Sequence, residues 1–351
     1  MKILRTVSGL AVLVGICALR VAVAAEPVPL KVTASWNIPM TEEGVRAAVA
    51  GAKELGFNGY AWSSQRLDEA LVSQCRASGM RCFKLLSPLA KRPGARVQVV
   101  EEAERRLPGF AGGLTSEYQY GGEPLPGHPE VLNLELMCPL DEGVVPHVAS
   151  EVARAKRLGY HGVCWDFVGY RNYHSCECET CRAALKAFLR NPSNGSPRAA
   201  KAAFYEKALV DLYERLYDVT RKAAPQFTVM THCHPVFLPN VFHGLKLKVD
   251  YSASTVGWFF QPHWSLEKVS DYARRTVRGP YRFQSAIGMP MIGCYSSGAM
   301  AQHRKSGKRL RAEFHAVREA GARAVMVCEL GDIFSDPEIR EAVRAGLAEI
   351  R

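Results

Sequence analysis

Four short runs in this sequence carry residue types that could do chemistry. The first, Tyr173-His-Ser-Cys176-Glu-Cys178-Glu-Thr-Cys181, sets three thiols within six residues at the start of a helical run. A tetrahedral metal site needs four ligands and accepts such spacing when a loop folds around the ion; Cys138 and His174 are candidates for the fourth. The alternative is disulfide or free-thiol chemistry, which an oxidising compartment favours, although Cys176 and Cys178 are too close to pair comfortably. Cys75 and Cys82 flank a turn and could form a disulfide of their own.

The next two runs each carry a carboxylate in apolar company: Asp166 in Gly-Val-Cys-Trp-Asp-Phe and Glu329 in Ala-Val-Met-Val-Cys-Glu-Leu. An ionisable group among such neighbours costs free energy unless it is paired or has a task. Two carboxylates on different strand ends are what glycosidic bond hydrolysis uses, with Asp166 as nucleophile or base and Glu329 as acid. The alternative is that each caps a following helix or pairs with an arginine. The fourth run, Thr-His-Cys-His-Pro, puts His232 and His234 on one side of a strand, where they could donate to substrate hydroxyls, move a proton or bind a metal. Trp36, Trp62, Tyr170, Trp258 and Tyr295 are apt to stack on the apolar faces of sugar rings, and Asp332 joins this substrate-binding set.

These residues need a scaffold that brings strand ends together. β-rich runs alternate with amphipathic helical runs along the chain: strands at 30–36, 59–62, 81–86, 163–167, 227–233, 249–254, 291–295 and 324–329, with helices such as 42–55, 67–78, 144–158 and 199–223 between them. Gly56, Gly79, Gly159 and Gly321 punctuate helix ends. The pattern predicts an α/β fold, a (β/α)8 TIM barrel, with a Pro/Gly-rich insertion after the third strand at about 88–137 that holds a helix near 97–106 and a strand-like run at 131–137. An open doubly wound sheet is the alternative, but no glycine-rich phosphate loop opens the first helix.

The stretch from Cys138 to Phe188 resembles the central segment of secreted bacterial TIM-barrel glycoside-hydrolase-like proteins, and its cysteine cluster is similar to the zinc site of family-42 β-galactosidases. That resemblance implies zinc on Cys138, Cys176, Cys178 and Cys181. It departs in one place: those enzymes carry an Asn-Glu pair at the end of the fourth strand, where this chain has Trp165-Asp166, and Asn133-Leu-Glu135 falls on the insertion. Specific β-galactosidase activity is therefore not implied. The expected function is an exported glycoside hydrolase-like barrel acting on a carbohydrate. The alternatives are a non-catalytic carbohydrate-binding barrel and a metal-dependent hydrolase using His232, His234 and Asp166.

Composition narrows the rest. The chain has 351 residues, a net charge of +11 and 11 cysteines. Residues 1–25 read as a signal peptide: Lys2 and Arg5, an apolar run from Val7 to Leu19, then Ala22-Val23-Ala24. Its removal takes away three basic residues and Cys17, leaving +8 and ten cysteines in a single 26–351 domain, periplasmic or extracellular. No nucleic-acid motif accompanies the dispersed lysines and arginines, whose mild excess suits a solvated surface or an acidic polymer. No stable membrane insertion after leader cleavage and no organic cofactor are expected.

Overall fold

The structure is a computed structural model that describes residues 28–35, 40–62, 66–100, 109–110, 131–132, 135–166, 169–171, 175–190, 196–233, 242–259, 261 and 263–351. The leader expectation at 1–25 lies outside them, as do Trp36, His174 and His234.

Eight parallel strands close into a barrel: β1 (Leu30–Ser35), β2 (Gly59–Trp62), β3 (Arg81–Leu86), β4 (Gly162–Trp165), β5 (Thr228–Cys233), β6 (Tyr251–Gly257), β7 (Ile287–Gly293) and β8 (Ala324–Cys328). β1 pairs with both β2 and β8, which excludes the open sheet. The helices are α1 (Glu42–Leu55), α2 (Asp68–Ala77), α3 (Val144–Leu158), α4 (Glu179–Leu189), α5 (Pro197–Ala223), α6 (Leu266–Arg278), α7 (Gly307–Glu319), α8 (Leu330–Ser335) and α9 (Pro337–Glu349). Local chemistry sets their ends. Thr41 accepts from the Gly44 amide at the start of α1, and Ser196 does the same for Ala199 ahead of Pro197 in α5. Gly56 and Gly159, at φ 100° and 87°, close α1 and α3 in the left-handed conformation that a Cβ disfavours. Among the described residues no helix is long and apolar enough to cross a membrane.

Between β3 and α3 the chain leaves the barrel. Val97 is not helical: it bridges Met137 antiparallel, as Ala90 bridges Leu136, and the remainder of the expected 97–106 helix lies outside the described residues beyond Val100. Val131–Leu132 pairs with Gly109–Phe110, so the 131–137 run supplies no barrel strand. Cys75 and Cys82 are buried free thiols, not a disulfide.

Alternation along each strand decides what reaches the barrel interior. Directly paired residues of neighbouring strands share a face. Lys84 on β3 reaches Asp68 of α2 at 2.8 Å, so its face meets the helices. Trp62 pairs with Lys84 and Ser35 pairs with Trp62, placing both on that helix-facing side. Trp165 belongs there too, with its ring 5.5 Å from Tyr213 of α5. The inner face takes the alternate residues, among them Ala34, Ala61, Phe83 and Cys164.

Candidate functional site

In barrels of this kind the C-terminal ends of the strands carry the chemistry. Asp166 immediately follows β4, and its amide continues the ladder to the Leu86 carbonyl at 2.7 Å. It lies two residues beyond Cys164, on the inner face. His232 of β5 stands beside it: Nδ1 is 3.1 Å from Asp166 Oδ1, and Nε2 is 3.0 Å from Thr255 Oγ1 on β6. Carboxylate, imidazole and hydroxyl thus form one row across three adjacent strands. A register shift sits beside it, where β6 spends an extra residue between Thr255 and Gly257 against β7. Bulges of this sort re-aim side chains next to active sites. Here Thr255 stays on the inner face, while Gly257 turns to the helix side, against Glu313. Tyr295, just past β7, is nearly buried with its ring 5.1 Å from Phe259, and burial pushes its hydroxyl above the ordinary tyrosine range.

Other expected site residues sit elsewhere. Glu329 is completely buried; Ser35 Oγ donates to its Oε1 at 2.7 Å and the Asp332 amide to its Oε2 at 3.1 Å. It therefore caps α8 and is tied to Ser35 at the end of β1. Asp332 accepts from the Ser296 and Ser297 amides at 3.1 and 2.8 Å and holds the loop after β7. Trp62 lies on the helix-facing row. Trp258 is buried against Trp264, the two rings stacked at 6.2 Å, and Trp264 in turn meets Tyr272 of α6. Tyr170 is buried edge-on to Tyr205, its hydroxyl donating to the Tyr205 carbonyl at 2.8 Å. All three aromatic residues are packed and buried. Glu135, the acid of Asn133-Leu-Glu135, is exposed and paired with Lys91, while Asn133 lies outside the described residues.

The cysteine cluster assembles from two directions. Cys138 arrives from the segment after β3, and Cys176, Cys178 and Cys181 from the loop and first turn of α4. All four are buried, and their sulfurs lie within 4.8 Å of one another, with Cys138 and Cys181 at 3.4 Å. Disulfide sulfurs would stand at about 2.05 Å. Zn–S bonds of about 2.3 Å in a tetrahedron put sulfurs about 3.8 Å apart, which this spacing matches. The group can hold a metal ion. Hydrogen bonds from the Cys138 and Cys181 thiols hold Cys176 far below the ordinary thiol range, and the same contacts push those two up. A divalent cation would take the place of these shared protons. Tyr205 fastens the cluster by donating to the Cys176 carbonyl at 2.9 Å. Gln98, buried beside it, donates to the Met137 carbonyl and accepts from the Arg171 amide, joining the two segments.

Thr255 and Gln98 were not singled out by sequence. A polar Ser252-Ala-Ser-Thr255 run inside a core strand was the available signal for the first; nothing local marks the second.

No family model matches the chain, and no curated protein matches it. Solved structures do. The β-galactosidase from the psychrophilic Marinomonas ef1 superposes with a TM-score of 0.59 at 10% identity, over 91% of this chain and 59% of that one. This chain thus spans under two thirds of that enzyme's length. The catalytic domain of β-amylase from Paenibacillus polymyxa gives 0.55 at 9% identity, over 92% and 99%. The PgaB (BpsB) glycoside hydrolase domain from Bordetella bronchiseptica gives 0.54 at 12% identity, over 92% and 99%. At these identities the likeness is one of fold: the chain is a TIM barrel of the kind that glycoside hydrolase domains use.

Proposed function

We propose that this chain is a glycoside-hydrolase-like barrel acting on a carbohydrate, with Asp166 and His232 as its acid–base centre. The supporting observation is the 3.1 Å Asp166–His232 pair on the inner face at the C-terminal end of the strands. Hydrolysis of a glycosidic bond requires a group that takes a proton from water or attacks the sugar, and a proton for the leaving oxygen. Asp166 is the carboxylate for the first task. The proton that Asp166 takes from the attacking water is the one that solvent returns to the leaving oxygen, while His232 holds the carboxylate in orientation. Tyr295 and Phe259 offer an apolar wall to a sugar ring. Export after cleavage within the first 25 residues, and a structural zinc on the four cysteines, complete the proposal.

The test is a broad panel of glycans incubated with the wild type and with Asp166→Asn. Turnover that falls by about a thousandfold or more in the variant supports the reading; unchanged turnover sinks it. A second reading, a non-catalytic carbohydrate-binding barrel, is favoured by one observation: Glu329 is fully buried and already accepts from Ser35 and the Asp332 amide. Affinity without turnover in the wild type would select it. The metal-dependent alternative loses ground because both nitrogens of His232 already lie at hydrogen-bond distance from Asp166 and Thr255.

A further inference from the structure

The row of hydroxyl, imidazole and carboxylate can be read in two directions. An alcohol hydrogen-bonded to a histidine that a carboxylate orients is the arrangement that activates a nucleophilic oxygen. Burial decides against that reading. Thr255 is 0% exposed within strand β6, whereas the side chains of His232 and Asp166 are 11% and 17% exposed. The open end of the row is the carboxylate, and the hydroxyl is its sealed root.

We infer that Thr255 is a positioning residue: its hydroxyl donates to Nε2 of His232 and thereby keeps the imidazole in the tautomer whose Nδ1–H points at Asp166. This rests on the reading of Asp166 and His232 as the working pair and adds to it the group that orients them. The chemistry follows from donor and acceptor inventories. A neutral imidazole has one donor and one acceptor nitrogen, and an ionised carboxylate only accepts. With Asp166 on Nδ1, that nitrogen carries the hydrogen and Nε2 is left with a lone pair. In this nearly buried position an unsatisfied lone pair is costly. The Thr255 hydroxyl, 3.0 Å away, is the donor that fills it. Regular alternation from Ala253 places Thr255 on the inner row opposite Met291, and the bulge that follows changes only the face of the chain beyond it. A valine at this position would keep the shape and β-propensity and remove only the donor.

The test uses the full chain labelled with ¹⁵N-histidine, the His232 signals being assigned by their loss in His232→Gln. In the wild type at neutral pH, Nδ1 is expected to carry the proton and Nε2 to show the shielded resonance of a hydrogen-bonded acceptor. In Thr255→Val, the Nε2 resonance should move away from that position; in Thr255→Ser it should stay. On any glycan the wild type hydrolyses, Thr255→Val should lower kcat about tenfold, which is the rate equivalent of one hydrogen bond, with KM within about twofold, and Thr255→Ser should restore it. An Nε2–H tautomer in the wild type overturns the inference without any variant being needed, and so does an unmoved Nε2 resonance in a folded Thr255→Val. The spectra need no substrate, so a panel without turnover would sink the hydrolase reading and leave the positioning role standing or falling on its own.

Discussion

Around the mouth of the barrel, the β3–β4 side and the β6–β8 side solve the same problem with different materials. On the first, long connections are gathered at a single point, where the sulfurs of Cys138, Cys176, Cys178 and Cys181 meet. On the second, no such point occurs among the described residues and the loops are tied piecemeal. Lys305 and Glu313, both fully buried, meet at 2.8 Å; Lys305 also donates to the Gly293 carbonyl at the end of β7, and Arg309 joins Glu313 to the Trp264 carbonyl ahead of α6. His303 accepts the Gln261 amide through Nδ1 at 3.0 Å, and His263 Nε2 lies 3.0 Å from the His303 carbonyl. Asp332 gathers the amides after β7. The difference teaches how binding energy is distributed. A metal site concentrates stabilisation in four atoms that fail together, whereas a hydrogen-bonded brace fails one bond at a time.

The comparison breaks most readily at the sulfurs. Cys138→Ser removes the one ligand that the β3 side contributes. It should release bound metal and lower stability by more than about 4 kcal/mol, since binding to such a site is itself folding free energy. Metal content by mass spectrometry and the unfolding temperature measure both, and a strong chelator on the wild type should reproduce the loss. Retention of full stability in a metal-free Cys138→Ser protein would remove the staple from the account.

Second in size is the buried ion pair. Glu313→Gln leaves the Lys305 ammonium buried beside a neutral amide, and breaking such a pair costs about 3–5 kcal/mol. Burial already pulls the Lys305 ammonium below the ordinary lysine range despite Glu313, which shows that desolvation outweighs the attraction there. Calorimetry should therefore find a fall of about 5 °C in Tm. A fall of less than about 2 °C would mean that water reaches Lys305 and that the β6–β8 brace is weaker than its geometry implies.

The same contrast explains what could be read from sequence. The barrel was legible because strand–helix alternation is a repeated signal, and the glycines at 56 and 159 mark helix ends by a local requirement on φ. The cysteine group was legible because thiols are rare and three of them are adjacent. Asp166 and His232 could each be placed at a strand end, but not their pairing, which depends on register between β4 and β5. For Glu329 and Trp62 apolar neighbours mark burial, and burial is common to the inner wall and the helix layer; the side that Trp62 faces follows only from its pairing with Lys84. The Lys305–Glu313 and Gln98 links join residues whose contacts follow from the closed fold and from no local motif.

The smallest effect tests the brace through pH. His263 is held neutral, its pKa lowered to about 4 by desolvation first and by the nearby Lys305 charge second, with Arg309 adding to the effect and Glu313 opposing it. The unfolded chain has the ordinary value near 6.5. Between these two values the unfolded state binds more protons than the folded one, so stability rises with pH across that window. The contribution is complete above about pH 6.5 and is lost as pH falls toward 4. Because the ring is partly exposed, the full shift overstates its worth; after allowance for solvent screening the loss is on the order of 1 kcal/mol. Denaturant midpoints measured at pH 7.5 and pH 4.5 should differ by less in His263→Gln than in the wild type, since glutamine cannot take the proton. If the two proteins lose stability in parallel over that range, His263 does not carry the acid sensitivity of the β6–β8 side.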